Sequence, residues 1–200
     1  MHIYYSTGGY KNSDVEEVVK NLIDNGIYQI ELSGTNYVKD NIKILSKFKN
    51  KVKFQIHNYF PPPKIPFVLN LASLDNEIYL KTLEHIYKTL ESCETLGVSY
   101  YSFHAGFLCD IQTKELGKKI KKKKLQDRSE SISLFTERVL KVADKAKKYG
   151  INIMIENNVI SKNNLIEFSS NPLLMCEAAE CLKVINDTPD NIKLLVDVAH

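Results

Sequence analysis

Five side chains able to hold a metal ion or move a proton stand at the ends of short apolar runs: His57 after VKFQI, His104 after YYSF, Glu156 after INIMI, Asp197 after IKLLV, and His200 three residues further on. Imidazole nitrogen and carboxylate oxygen together suit zinc, manganese, iron or cobalt, with zinc or manganese the leading pair. A single histidine in such a place is more often a hydrogen-bonded structural group. Two at equivalent positions are harder to assign to packing. An ionised carboxylate closing a run as apolar as the one before Glu156 must be paired, hydrogen-bonded or bound to metal, because unpartnered burial of the charge costs too much. Asp197 repeats that logic, and His200 is placed to turn back toward the same point. His2 and His85 lack this setting and read as structural or surface residues.

The elements that would position these groups alternate between short β-rich runs and longer amphipathic ones. Strands are predicted over 2–7, 28–34, 51–60, 98–106, 151–158 and 192–200. Helices are predicted near 14–24, 40–48, 74–96, 129–149 and 172–186. In the first of these Val15, Val18, Val19, Leu22 and Ile23 share a face, Ser13 reads as the N-cap with Glu16 completing a capping box, and Asn25-Gly26 closes the helix. The prolines at 61–63 end the third strand, Gly97 and Gly150 end two helices, and Pro172 is expected in the first turn of the last helix. The INIMI run is expected to be buried on both faces.

Strand and helix in strict alternation, without a hairpin signal, imply a parallel sheet. Two architectures satisfy that pattern, an open doubly wound sheet and a closed barrel. Functional groups at the ends of many successive strands fit a barrel, whose strand ends converge on one mouth, whereas an open sheet concentrates its site at one switch point. No GxGxxG turn follows the first strand. The expectation is therefore an α/β fold, a (β/α)8 TIM barrel, as one domain over residues 1–200, with strands seven and eight absent from a chain that stops after strand six.

Composition, at 44% hydrophobic and 26% charged residues, is that of an ordinary globular chain. No run approaches the roughly 18 apolar residues of a membrane span, and the first residues lack the pattern of a secretory signal. Cys93, Cys109, Cys176 and Cys181 form no CxxC pair, which argues for reduced thiols and a cytoplasmic setting. A net charge of +3 does not by itself indicate nucleic acid. Lys118, Lys119 and Lys121 to Lys124 form a dense basic tract that reads first as a solvated surface and second as a phosphate contact.

The segments HNYFPPP, VLNLAS, FHAG, IENN and VDVAH, in that order, resemble the xylose isomerase-like TIM barrels, a superfamily that includes endonuclease IV and many sugar isomerases and epimerases. The resemblance implies that His57 and His104 are metal ligands of the endonuclease IV branch, and that Glu156 binds metal in both branches and exchanges the substrate proton in the epimerases. It implies that Asp197 is a metal ligand, and that His200 binds a further metal or contacts substrate. Glu31 matches an acidic position on strand two that is structural or functional. After the strand-five glutamate this chain reads ENNVISKNN, without the Gly-Gln-Gly turn usual in the nuclease, whereas both early histidines, often missing from the epimerases, are present.

The leading expectation is a divalent-metal-dependent sugar or sugar-phosphate isomerase or epimerase working through an enediolate, with Glu156 and His200 as the catalytic residues. The alternatives are an endonuclease IV-like phosphodiesterase acting on abasic DNA, and a barrel that binds metal or ligand without turnover.

Overall fold

The computed structural model describes residues 3–10 and 13–198, which leaves His2 and His200 outside the described residues. Six strands form one sheet in the order of the chain, each parallel to the next: β1 (Tyr5–Ser6), β2 (Gln29–Leu32), β3 (Lys53–His57), β4 (Tyr100–His104), β5 (Asn152–Glu156) and β6 (Ile192–Leu195). Helices follow in the connections: α1 (Val15–Asp24) and α2 (Asn41–Leu45), then α3 (Asn76–Leu96) and α4 (Arg128–Lys148), then α5 (Lys162–Phe168) and α6 (Ala178–Asn186). Parallel neighbours need a long crossover, so every strand runs the same way and all six carboxyl ends share one rim.

Side chains alternate across each strand. Ile30 and Leu32, Phe54 and Ile56, Tyr101 and Phe103, and Ile153 and Ile155 join the core that also holds Val15, Val19, Leu22, Leu90, Phe135 and Val139 from the helices. The residues between them are mostly polar: Glu31, Gln55, His57, Ser102, His104 and Glu156. This corrects the expectation that INIMI is buried on both faces. Ile153 and Ile155 face the helices, while Asn152 and Met154 are only partly buried, so the run belongs to a half-polar strand.

The strands are shorter than the apolar runs that announced them, because pairing stops where the chain turns at the rim. The first run is strand only at Tyr5–Ser6 and then a 3-10 turn over Thr7–Gly9. Asp14, not Ser13, caps α1, its carboxylate accepting from the Glu16 amide at 2.8 Å. The helix expected over 172–186 begins at Ala178, and Pro172 lies in the preceding loop, where its carbonyl accepts from the Leu108 amide at 2.8 Å. The short helix α5 replaces part of a segment expected to be loop, its first turn capped by the Ser161 side chain.

Two asparagines fasten the rim. Asn70, almost fully buried, donates to the Asp110 carboxylate at 2.9 Å and the Phe107 carbonyl at 3.2 Å, while its own oxygen accepts from the amides of Ala72 and Phe107. Asn158, two residues past Glu156, donates to the carbonyls of Ala105 at 2.9 Å and Leu174 at 3.0 Å. Gly106 lies between these clamps. A Cβ there would stand 2.8 Å from the Asn70 side-chain oxygen and 2.9 Å from the Ala72 Cβ, inside contact distance of groups that cannot move without breaking the network. Gly106→Ala should therefore lower stability by about 1–3 kcal/mol, the usual range for overpacking, measured by urea titration. An unchanged midpoint would show that the network yields.

Candidate metal centre

β3, β4 and β5 are neighbours, and each ends in a ligand-type residue. In register, His57 lies opposite Ser102 and His104 opposite Glu156, so the three side chains rise from adjacent strand ends on one rim. The His57 Nε2 atom is 3.5 Å, and the His104 Nδ1 atom 3.6 Å, from Oε2 of Glu156. The two imidazole rings meet edge to face with centroids 5.5 Å apart. One ligand atom from each of the three residues lies within 4.8 Å of the others.

These separations are long for hydrogen bonds, which favour about 2.7–3.2 Å. They match the spacing of about 3.4 Å expected between tetrahedral ligands 2.0–2.2 Å from a zinc ion. Among the described residues, Oε2 of Glu156 is buried without a hydrogen-bond partner, an arrangement a bound cation would satisfy. Two nitrogens and a carboxylate oxygen form a donor set suited to zinc, manganese, iron or cobalt. The residues present fit a divalent metal.

Asp197 comes to the same place from the turn after β6. Its backbone is held by Asn157, whose side-chain oxygen accepts from the Asp197 amide at 2.8 Å. Its side chain hydrogen-bonds the Glu156 carboxyl group. Burial, then the hydrogen bond and charge of Asp197, then the charge of Glu31 push the pKa of Glu156 up to about 8. Four of the residues singled out in the sequence thus act on one carboxyl group: His57, His104, Asp197 and, more remotely, Glu31. His200 lies outside the described residues.

His85, read from the sequence as a structural or surface residue, lies inside the protein. It is buried on α3 and stacks on Tyr59 with ring centroids 5.4 Å apart, and burial keeps it neutral by lowering its pKa to about 4. Sequence reasoning missed the residues that hold His57. Asn58 adopts a left-handed conformation at φ 47°, and its amide donates to the Ser102 carbonyl. Its carbonyl accepts from the buried Tyr101 hydroxyl at 2.9 Å. The alternation of YYSFH does put Ser102 on the face of His104, but only the register sets it opposite His57.

Beside His104 a cavity of about 260 Å³ opens between the loops after β3 and β4, lined by Tyr59, Phe67, Phe107, Thr113 and Leu116 among others. The basic tract continues from that second loop. Glu115 accepts from the amides of Gln112 and Lys121, Lys123 reaches Glu115 at 3.3 Å, and Lys119 pairs with Glu167 at 2.6 Å. Lys118, Lys121, Lys122 and Lys124 are exposed.

The raised pKa of Glu156 carries a definite sign. The folded metal-free chain holds this proton more tightly than the unfolded chain does. The resulting stability is fully present below 4.5, the ordinary value, and is lost as pH rises through about 8. Glu156→Gln removes the titration, so the metal-free variant should melt above the metal-free wild type at a pH above about 8 and lose that advantage toward pH 4.5. Melting curves across this range check it, and parallel pH profiles for the two proteins would refute it.

A family model described as xylose isomerase-like TIM barrel matches residues 8–200. A curated relative named "Probable endonuclease 4", from Sulfurihydrogenibium sp. (strain YO3AOP1), is 42% identical over 40 residues, which is 20% of this chain and 14% of the relative. Among solved structures, an L-ribulose 3-epimerase superposes with a TM-score of 0.69 at 21% identity, covering 98% of this chain and 60% of its own. The TTHB071 protein of Thermus thermophilus, from a structure soaked with ZnCl2, superposes with a TM-score of 0.64 at 18% identity, covering 100% of this chain and 68% of its own. At these identities the structures speak to the fold: the six parallel strands and their helices follow the TIM-barrel pattern, and the chain spans about 60% of the length of the epimerase. Because the family model matches residues 8–200, nearly the whole of this sequence, the chain belongs to the xylose isomerase-like TIM barrel family.

Proposed function

We propose that the protein is a divalent-metal-dependent enzyme that isomerises or epimerises a small sugar or sugar phosphate by moving a proton between carbons through an enediolate. The observation that carries this reading is the buried Glu156 carboxyl group, set between two imidazoles on one side and Asp197 on the other. Sugar epimerases among the structural neighbours support it.

His57, His104 and Glu156 would hold the cation, with Asp197 beside them. When bound, zinc or manganese would supply positive charge beside the substrate oxygens and stabilise the anion that follows proton removal. The residues of the chain supply the rest. Glu156 is the carboxyl group assigned to take a proton from carbon and return it, as general acid and base. Asp197 stands against the same carboxyl group and favours its protonated form. His200, three residues past Asp197, is proposed as a further ligand or substrate contact. The largely apolar cavity of about 260 Å³ beside His104 gives the substrate room next to the site. The exposed lysines after Glu115 offer charge complementary to a phosphate group.

A second reading, a metal-dependent phosphodiesterase acting on abasic DNA, is favoured by the segment matching the endonuclease 4 relative and by the presence of both His57 and His104. The two functions separate in one pair of assays. With manganese or zinc added, a ketose panel in deuterated water should acquire deuterium at the carbon next to the carbonyl, and abasic duplex DNA should stay intact. Glu156→Gln should lower the exchange rate by at least about 10²-fold, the scale of general acid and base catalysis, and lose most bound metal. Cleavage of the duplex without sugar exchange would select the phosphodiesterase.

A further inference from the structure

Ser102 lies at the middle of β4, fully buried, between the core residues Tyr101 and Phe103. A hydroxyl group out of reach of water must find its hydrogen bonds inside the protein. Its Oγ atom is 2.9 Å from Nδ1 of His57, directly across the β3–β4 pair. The carbonyl of the same residue accepts from the amide of Asn58 at 2.5 Å. Ser102 therefore grips both the ring of His57 and the backbone immediately after it, which fixes the position and the rotation of the imidazole together.

A neutral imidazole carries its proton on one nitrogen and a lone pair on the other. Nε2 of His57 is the atom aimed at Oε2 of Glu156, 3.5 Å away. That nitrogen can bind a cation only when the ring proton is on Nδ1, where Ser102 Oγ, 2.9 Å away, can accept it. From this geometry we infer that Ser102 is a positioning residue, which holds His57 in the tautomer with its proton on Nδ1 and turns the lone pair of Nε2 toward the metal site. Ser102 reaches the site through His57, whose ring it contacts, and acts through that residue. The inference rests on the metal-centre reading above and adds to it the residue that prepares one ligand.

Side-chain nitrogen spectra of ¹⁵N-histidine-labelled protein, combined with zinc titration of the metal-free form, test this. In the wild type, His57 should show its proton on Nδ1. In Ser102→Ala the population should move toward Nε2–H, and the zinc affinity should fall by about 10–100-fold, the usual cost of losing the group that orients a ligand. Ser102→Thr, which keeps the hydroxyl, should restore the wild-type tautomer and the affinity. Circular dichroism checks the fold of each variant. A wild-type ring protonated on Nε2 would overturn the inference without any variant. An alanine variant with wild-type tautomer and affinity would overturn it while leaving the metal centre in place. A wild-type protein that takes up no zinc would remove the metal centre and this role with it.

Discussion

The Glu156 carboxyl group is out of water at the end of a strand, and the rim around it is arranged in answer to that one burial. An isolated carboxylate in such a place either finds a compensating charge or stays protonated. Without a metal, burial and the neighbouring Asp197 raise the pKa of Glu156, which favours the protonated form. With two imidazole nitrogens at 3.5 and 3.6 Å, the same carboxyl group would form one corner of the proposed cation site. Under that proposal, proton and metal would compete for one group. That competition would allow a buried acid to serve as a ligand in one state and as a proton store in the other.

The arrangement depends on rigidity more than on the ligands themselves. His57 is followed by a residue at positive φ, an unusual conformation for any residue but glycine, and the turn persists because the surroundings hold it at both peptide groups. Asn157 fixes the backbone of Asp197, and Asn158 fixes the loop that follows His104. The two asparagines of IENN therefore tie β5 to the turn after β6 and to the turn after β4, on either side of the glutamate they follow. Asn70 joins the loops after β3 and β4 in the same way, through the Asp110 carboxylate and the Phe107 peptide. Each is a short side chain with donor and acceptor at fixed separation, suited to bridging two irregular backbones that cannot pair as strands.

How far this was legible follows from the kind of information each feature needs. Periodicity is local, so the alternation of β and α, the faces of α1 and the placement of His57, His104 and Glu156 at successive strand ends could be read directly. Caps are local too but degenerate: Ser13 and Asp14 are both good N-caps, and the choice was settled by where the chain enters the helix. Pro172 misled for a related reason, since a residue permitted in a first turn does not require one, and here its carbonyl is engaged by Leu108 from another loop. The seven residues of α5 are too few to show a period. Ser102 and Asn70 were invisible as functional supports because their partners stand 45 and up to 40 residues away, and only the strand register brings them together.

That contrast carries a general consequence for a site built on a parallel sheet. The ligands come from equivalent points of a repeating unit, so the fold alone brings them to one rim, and a chain with any reasonable β/α pattern would place strand-end residues near one another. Proximity to within several ångström is what the repeat supplies. Selecting one tautomer, holding one rotamer and keeping one carboxyl group dry need contacts that the repeat does not contain, and these come from the irregular residues just past the strand ends and from the polar side chain opposite each ligand. In β3 and β4 the fold puts His57 beside its neighbour, but the serine across the pair and the asparagine after it decide which nitrogen faces Glu156. Chemistry on this scaffold is thus specified less by the ligand types, which the strand ends display openly, than by the residues one position further on or one strand across.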